Sequence, residues 1–130
     1  MNPKVLGISL SDISTGLIFY PDDEAITFPT IISKKKGEDS WVVGEAAYGL
    51  ALDGKGIITD KLLKLARKRG IATIDGVRYE GKEILKIFFR EIIDCGMKKL
   101  YKEKPDKVVV AMTGLAHDIV IDIKEALLSL

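Results

Sequence analysis

A polar tip between two short apolar runs is the first candidate for chemistry in this sequence. The runs VLGISL (Val5–Leu10) and TGLIFY (residues 15–20) flank residues 11–14, which read SDIS. Two β-rich runs joined by a polar turn predict a β-hairpin. The residues leave two interpretations open: a tip that binds a phosphate, or a turn whose side chains hydrogen-bond their own backbone.

Three other features of the sequence carry reactive or metal-binding residue types, and each favours a structural role. The stretch LDGKG (residues 52–56) lacks the spacing of a P-loop, which needs a glycine, four residues and then Gly-Lys-Ser/Thr. We interpret it as a turn that ends a helix. His117 has no second ligand at metal-binding spacing, and we expect it to help cap the last helix. Cys95 lies within an amphipathic helical pattern, which predicts a buried structural thiol.

Composition narrows the class of protein. The chain has 130 residues, which predicts one domain. Its net charge is +1, and because a nucleic-acid-binding protein usually has a basic face, we expect no nucleic-acid partner. The apolar runs are far shorter than the ~20 residues that cross a bilayer, so we expect no membrane partner either. The single cysteine, Cys95, cannot form an internal disulfide, which favours a cytoplasmic protein.

The first third of the chain reads as strands that would hold the tip. Residues 25–28 predict a third strand. Residues 30–33 and 41–43 predict a second hairpin, and the KKKGEDS segment between them predicts a solvated turn. We expect Trp41 in the core or at a subunit surface.

The remainder alternates between helical and extended patterns. EAAYGLAL (residues 45–52) and residues 59–70 predict helices, the second capped by Thr59 or Asp60 and stopped at Gly70. The Asp75-Gly76 pair predicts a hairpin turn. A long amphipathic helix is predicted from residue 82 to 102, ended by Pro105. KVVVAM (residues 107–112) predicts a strand buried on both faces, and Asp118 can cap a final helix after Thr113-Gly114.

Four segments, in this order, resemble the N-terminal part of a heat-shock chaperone ATPase domain of the DnaK type, within the actin-like ATPase superfamily. GISLSDIS is similar to that family's phosphate-binding hairpin, Gly-Ile-Asp-Leu-Gly-Thr-Thr-x-Ser. FPTIISKKKGEDSWVVGEAA, IITDKLLKLARKRG and residues 79–114 follow its later segments. Met112-Thr113-Gly114 stands where the family has Val-Pro-Ala. The collinear order carries the resemblance rather than any single motif.

The resemblance implies which residues would bind Mg-ATP. The family's magnesium-holding acid corresponds to Ser9, its phosphate-contacting glycine to Ser11 and its first threonine to Asp12, whereas Ser14 keeps a hydroxyl. Lys61 is the candidate catalytic residue, near the family's lysine that reaches the γ-phosphate, and a solvated lysine is the alternative. Asp12 is the candidate magnesium ligand, and the implied nucleotide-binding residues are Ser9, Ser11, Asp12, Ile13 and Ser14.

The substitutions weaken that site on physical grounds. Serine is a poor ligand for Mg²⁺, which prefers carboxylate oxygens, and Ser11 carries a Cβ where glycine would allow close approach. The carboxylate of Asp12 would repel a phosphate charge at ~4 Å by roughly 1 to 4 kcal/mol, unless a bound Mg²⁺ reverses the sign.

The predicted fold is therefore α/β: a partial, ribonuclease-H-like, actin-like ATPase fold that comprises the first lobe only, with a mixed sheet and flanking helices. Residues 1–28 and 104–130 would form a core subdomain, and residues 29–103 a small flanking subdomain. The last helical pattern lacks a stop signal, which indicates a piece of a longer protein.

The functional prediction is a divergent chaperone-like ATPase domain with degenerate nucleotide binding and a scaffold or regulatory role. The alternatives are an active Mg-ATP-dependent ATPase and an actin-like filament subunit. The expected partners are the missing C-terminal lobe of the same domain and other proteins. We expect no hydrolysis by residues 1–130 alone, because a nucleotide cleft needs both lobes.

Overall fold

The computed structural model describes residues 4–67, 70–112, 123–125, 127, 128 and 130. Strands in this part of the chain form a four-stranded, a three-stranded and a two-stranded sheet. The elements in chain order are β1 (Val5–Leu10), β2 (Ser14–Tyr20), β3 (Glu24–Pro29), β4 (Ile32–Lys35), β5 (Trp41–Val43), α1 (Glu45–Leu52), β6 (Gly56–Thr59), α2 (Leu62–Arg67), β7 (Ile71–Ile74), β8 (Val77–Glu80), α3 (Gly81–Leu100) and β9 (Lys107–Met112).

The four-stranded sheet is mixed and has the order β3-β2-β1-β9. Strands β1, β2 and β3 form an antiparallel meander, and β9 pairs with β1 in parallel. Parallel neighbours require a long crossover connection, and everything from β4 to α3 supplies it. The predicted mixed sheet and the hairpin at residues 11–14 are confirmed.

Alternation along the strands separates a covered face from an open one. Leu6, Ile8 and Leu10 of β1 and Leu17 and Phe19 of β2 are buried, whereas the residues between them point the other way. This two-residue period is the pattern of a sheet packed on one side. The covered face lies against α3.

Helix α3 is the main packing element. Apolar residues at three- and four-residue steps give it one broad buried face, made of Ile84, Leu85, Phe88, Phe89 and Ile92. The helix ends at Leu100, earlier than the predicted residue 102, because Tyr101 adopts a left-handed conformation with φ 55°. The amphipathic pattern of α3 therefore determines which face is buried, whereas the left-handed conformation of Tyr101 determines where the helix ends.

The three-stranded sheet has the order β5-β4-β6, with α1 packed against it. The predicted hairpin of β4 and β5 is present, and Trp41 lies in the core. Strand β6 was not predicted. The β7–β8 hairpin turns at Asp75-Gly76, where both residues have positive φ, 53° and 79°. That is the geometry an Asp-Gly turn favours.

Two expectations are wrong. Lys34 is not part of a solvated turn: it is 5% exposed and its Nζ lies 3.0 Å from Asp75 Oδ2. Strand β9 is not buried on both faces, since Val109 is 50% exposed. Val108 and Val110 on its other face pack against the core, so only that face of β9 is covered within the described residues.

Some expectations fall outside the described residues. These concern Thr113-Gly114, His117 and the Asp118 cap. Residues 123–125, 127 and 128 are helical, and Ile123 is buried in the core. No helix in the described ranges combines the length and apolarity needed to cross a bilayer.

Candidate functional site

The hydroxyl of Ser11 is used by its own turn. Its Oγ accepts the N–H groups of Ser14 at 3.1 Å and Ile13 at 3.3 Å, and donates to the carbonyl oxygen of Ser14 at 3.0 Å. The N–H of Ser11 donates to the same carbonyl at 3.1 Å. The tip is therefore closed by local hydrogen bonds, as the turn interpretation predicted.

Two buried threonines hold the tip from below. Thr30 Oγ1 donates to the carbonyl oxygen of Ser11 at 2.6 Å, so Thr15 Oγ1, 2.7 Å away, donates to Thr30. The N–H of Thr30 also donates to the carbonyl of Ile13 at 3.2 Å. Both threonines are fully buried. Our sequence reasoning missed them, although hydroxyl residues within otherwise apolar runs of sequence are a usable signal.

The carboxylate of Asp12 reaches across to another element. Its Oδ1 accepts the N–H of Leu63 at 2.8 Å and its Oδ2 accepts the N–H of Lys64 at 3.2 Å. These amides belong to the first turn of α2, where N–H groups have no partner within the helix. Asp12 therefore caps α2, and the predicted cap by Thr59 or Asp60 is wrong: Thr59 lies in β6.

Ser9, Ile13 and Ser14 are open to solvent. Ser9 lies on the open face of β1, where it pairs with Gly16 on one side and Ala111 on the other. Ile13 is 86% exposed at the extreme of the tip. Ser14 begins β2 and is exposed.

Lys61 precedes α2 and is brought close to the tip by the Asp12 bond to Leu63. It is exposed and has a left-handed backbone with φ 52°, and its carbonyl accepts the N–H of Leu65 at 3.0 Å. Its amine makes no ion pair with any described residue. The structure thus places the hairpin tip and Lys61 next to the first turn of α2. Ser9 lies apart from them, on the open face of β1.

The donor set fits a resident magnesium ion poorly. Mg²⁺ in nucleotide sites uses one or two carboxylates together with waters and phosphates. At the tip Asp12 is the one carboxylate, and both of its oxygens already accept N–H groups. In the described part of the chain no three His, Cys, Asp or Glu residues come together at metal-binding distance.

Comparison with solved structures places the fold in the actin-like class. The chain is similar to a non-polymerising mutant of MamK, an actin-like protein, bound to AMPPNP, with a TM-score of 0.67 and 11% identity. The alignment covers 98% of this chain and 38% of the MamK chain. At that identity the likeness shows the fold alone, and this chain spans 38% of the length of its neighbour.

Comparison of the sequence with protein-family models identifies the family of this chain. Residues 15–130 match the model described as "Family of unknown function (DUF5716) C-terminal", and the chain belongs to that family. A search of curated proteins found no match.

Proposed function

We propose that this chain is the first lobe of a divergent actin-like ATPase domain, closest to the heat-shock chaperone branch, in which Mg-ATP binding is weak or lost. The domain would act as a scaffold or a regulatory interaction module. One observation carries the proposal: the carboxylate of Asp12 is committed to the amides of Leu63 and Lys64. The group that would have to bind Mg²⁺ instead ties the hairpin to α2.

The remaining polar groups of the tip support the same conclusion. The Ser11 hydroxyl makes three hydrogen bonds within its turn, and Ser9 supplies a neutral oxygen on the strand where the chaperone family has an acid. A phosphate at this tip would displace those bonds and meet the negative charge of Asp12. Charges of the same sign at close range cost free energy, so binding is disfavoured without a metal.

The proposed partner of this lobe is the C-terminal lobe of the same domain, together with client or regulatory proteins. The MamK likeness supports this, since the chain corresponds to 38% of that longer chain. We assign no nucleic-acid or membrane partner. A cytoplasmic location is proposed from the single cysteine, which favours a reducing compartment.

Calorimetric titration of the full natural protein with Mg-ATP tests the proposal. The expected result is no binding in the micromolar range and no phosphate release. Residues 1–130 by themselves are also expected to release no phosphate. Micromolar binding with turnover by the full protein would overturn the proposal.

An active Mg-ATP-dependent ATPase is the second candidate, because the MamK neighbour was bound to AMPPNP. In that case Asp12 would release α2 and bind the metal when nucleotide enters, and Lys61 would approach the γ-phosphate. Asp12→Asn would then abolish hydrolysis. Intact hydrolysis in Asp12→Asn would remove Asp12 from the metal role.

A filament subunit is the third candidate. It is favoured only by the description of the MamK chain as a non-polymerising mutant. Sedimentation of the full protein with and without Mg-ATP separates it from the others, since only a filament subunit would pellet.

A further inference from the structure

The open face of the four-stranded sheet carries three rows of residues that run across the strands. The first row is Tyr20, Val5 and Lys107, the second is Ala25, Ile18, Gly7 and Val109, and the third is Thr27, Gly16, Ser9 and Ala111. Lys107 is the one charged residue among these eleven, although 30% of the whole chain is charged. The outer face of an antiparallel sheet that meets water is normally polar. The composition of this face therefore fits a covered surface better than a free one.

Large apolar side chains are exposed on this face. Val109 is 50% exposed, Tyr20 is 44% exposed and Ile18 is 36% exposed. A groove of about 670 Å³ is lined by residues of all three rows and reaches Ser14 at the hairpin tip. Contiguous exposed apolar surface marks a site of interaction with another surface.

The free space in this groove lies over the third row. That row is small from Gly16 to Ala111, and a Cβ added to Gly16 would meet only the Ser9 Cβ among the described residues, at 3.8 Å. The second row is already partly covered, since a Cβ added to Gly7 would lie 3.4 Å from the Tyr20 ring. Glycine inside a strand often marks a place where another backbone comes close. The third row can therefore receive a packing element at short distance from the sheet.

The charge on this face argues against a second copy of the chain as its partner. Lys107 is exposed and makes no ion pair with another residue that the structure describes. Two copies packed through this face would offer Lys107 no carboxylate, because the eleven residues include no acid. Covering a cation without a partner costs free energy. The partner surface must therefore differ from this one and supply an acidic group.

The rest of an actin-like domain can supply such a surface. The alignment covers 98% of this chain and 38% of the MamK chain, so most of that protein lies beyond the part shared with this chain. Sheets that contain parallel strands usually carry helices on both faces, and here α3 covers one face. A segment of the same chain also has a higher effective concentration at the face than a separate protein.

We propose that the segment of the natural protein that follows residue 130 returns to this lobe and packs an amphipathic helix on the open face. The apolar side of that helix covers Ile18, Tyr20 and Val109, and an acidic side chain of the same segment pairs with Lys107. The inference rests on the proposed function, which makes this chain the first lobe of a longer domain. It adds which surface of the lobe the rest of the domain covers, and this surface is not the one through which Asp12 contacts α2.

Photo-crosslinking in the full natural protein tests the inference, with p-azidophenylalanine in place of Tyr20 and no nucleotide present. The replacement keeps an aromatic ring on the open face. Irradiation is expected to give a crosslinked product at the mass of one chain, and mass spectrometry should locate the crosslink in residues that follow Leu130. The matched control is p-azidophenylalanine in place of Tyr48, which is 47% exposed on α1 and outside the face. It should give no crosslink to the same segment.

Four results would overturn the inference. These are a crosslink from position 20 that joins two copies, one that joins a different protein, one that stays within residues 1–130, and a yield no higher than that of the control. The outcome is independent of nucleotide binding. Tight Mg-ATP binding would overturn the proposed function and leave the crosslink in place, whereas a missing crosslink would leave the calorimetric result unchanged.

A charge placed on the open face gives a second readout in the full protein. Val109→Lys should lower the melting temperature by several degrees, because it puts an unpaired cation beneath the returning helix. Ile71→Lys is its control, since Ile71 is 52% exposed on β7, and it should melt close to wild type. Equal melting temperatures for the two variants would show that the open face is uncovered.

Discussion

The Asp12 carboxylate caps a helix that begins fifty residues further along the chain. Its Oδ1 lies 2.8 Å from the N–H of Leu63, and its Oδ2 takes the next amide of the same turn. A cap is normally the residue just before the helix. Here that residue is Lys61, whose positive φ of 52° lets the chain turn into α2 and whose side chain cannot accept a hydrogen bond. The hairpin and α2 are therefore tied by one side chain.

Removing the Asp12 carboxylate should lower the free energy of unfolding by a measurable amount. Asp12→Ala should lower the free energy of unfolding by about 1 kcal/mol, the usual cost of losing a helix cap. Asp12→Asn should lose less, because its amide oxygen can still accept the N–H of Leu63. Denaturant titration gives the free energies, and hydrogen exchange at the amides of Leu63 and Lys64 should accelerate in Asp12→Ala.

Asp39→Ala is the control for this pair, since it removes an exposed carboxylate that makes no side-chain hydrogen bond among the described residues. It should leave both the free energy and the exchange of the α2 amides close to wild type. An equal loss in Asp39→Ala would mean that net charge, and not the cap, sets the effect.

Local patterns made the hairpin, the Asp75-Gly76 turn and the buried face of α3 predictable. Each depends on residues close together in sequence, where periodicity and turn chemistry act directly. The candidate phosphate hairpin was located in the same way, as a polar tip between two strands. Its outline could be read from residues 5–20 alone.

The hydrogen-bond partners of the site residues could not be predicted from local sequence patterns. The Asp12–Leu63 bond spans 51 positions and the Thr30–Ser11 bond spans 19, so no local pattern marks either. Lys34 looked solvated within a run of lysines, yet tertiary packing buries it beside Asp75. Strand β9 looked buried on both faces because its residues are apolar, but tertiary packing covers only the face of Val108 and Val110 and leaves Val109 exposed.

Substitution of two helical glycines by alanine should change the free energy of unfolding in opposite directions. Gly49 in α1 is exposed, and an added Cβ would have no neighbour within 4 Å. Gly49→Ala should therefore stabilise the protein by about 1 kcal/mol, the helix-propensity difference. Gly81 begins α3, and an added Cβ would lie 2.8 Å from backbone atoms of Ala66 and Leu65.

Gly81→Ala should consequently destabilise by about 1 to 3 kcal/mol, because overpacking against backbone forces α2 and α3 apart. Thermal unfolding of both variants under the same conditions makes the comparison. A gain in melting temperature for Gly81→Ala would show that the α2–α3 crossing is looser than the structure indicates.

The buried hydroxyl of Ser33 faces Gly56. Its Oγ has no hydrogen-bond partner among the described residues, and a Cβ added to Gly56 would lie 2.5 Å from it. Ser33→Ala should stabilise by about 1 kcal/mol, because an unsatisfied buried hydroxyl costs roughly that much. Gly56→Ala should destabilise by about 1 to 3 kcal/mol through overpacking. In the double variant Ser33→Ala/Gly56→Ala, part of that loss should return, and strictly additive free energies in this double-mutant cycle would contradict the contact.

Stability below neutral pH should depend on the contact between Asp75 and Lys34. The N–H of Gly37, 2.7 Å from Asp75 Oδ2, and then the ammonium of Lys34, 3.0 Å away, hold the pKa of Asp75 below its ordinary value. A carboxylate whose pKa is lower in the folded state stabilises the fold above its unfolded pKa of about 4, and that contribution disappears as pH falls through the folded pKa. Wild type should therefore exceed Asp75→Asn in unfolding free energy at pH 7, with the difference shrinking from about pH 4 downward.

Asparagine tolerates the positive φ of residue 75, so the turn itself is preserved in Asp75→Asn. Glu38→Gln, on the neighbouring exposed turn, should match wild type at pH 7, and a wild-type advantage over Asp75→Asn that persisted undiminished at the lowest pH would exclude this carboxylate as its source.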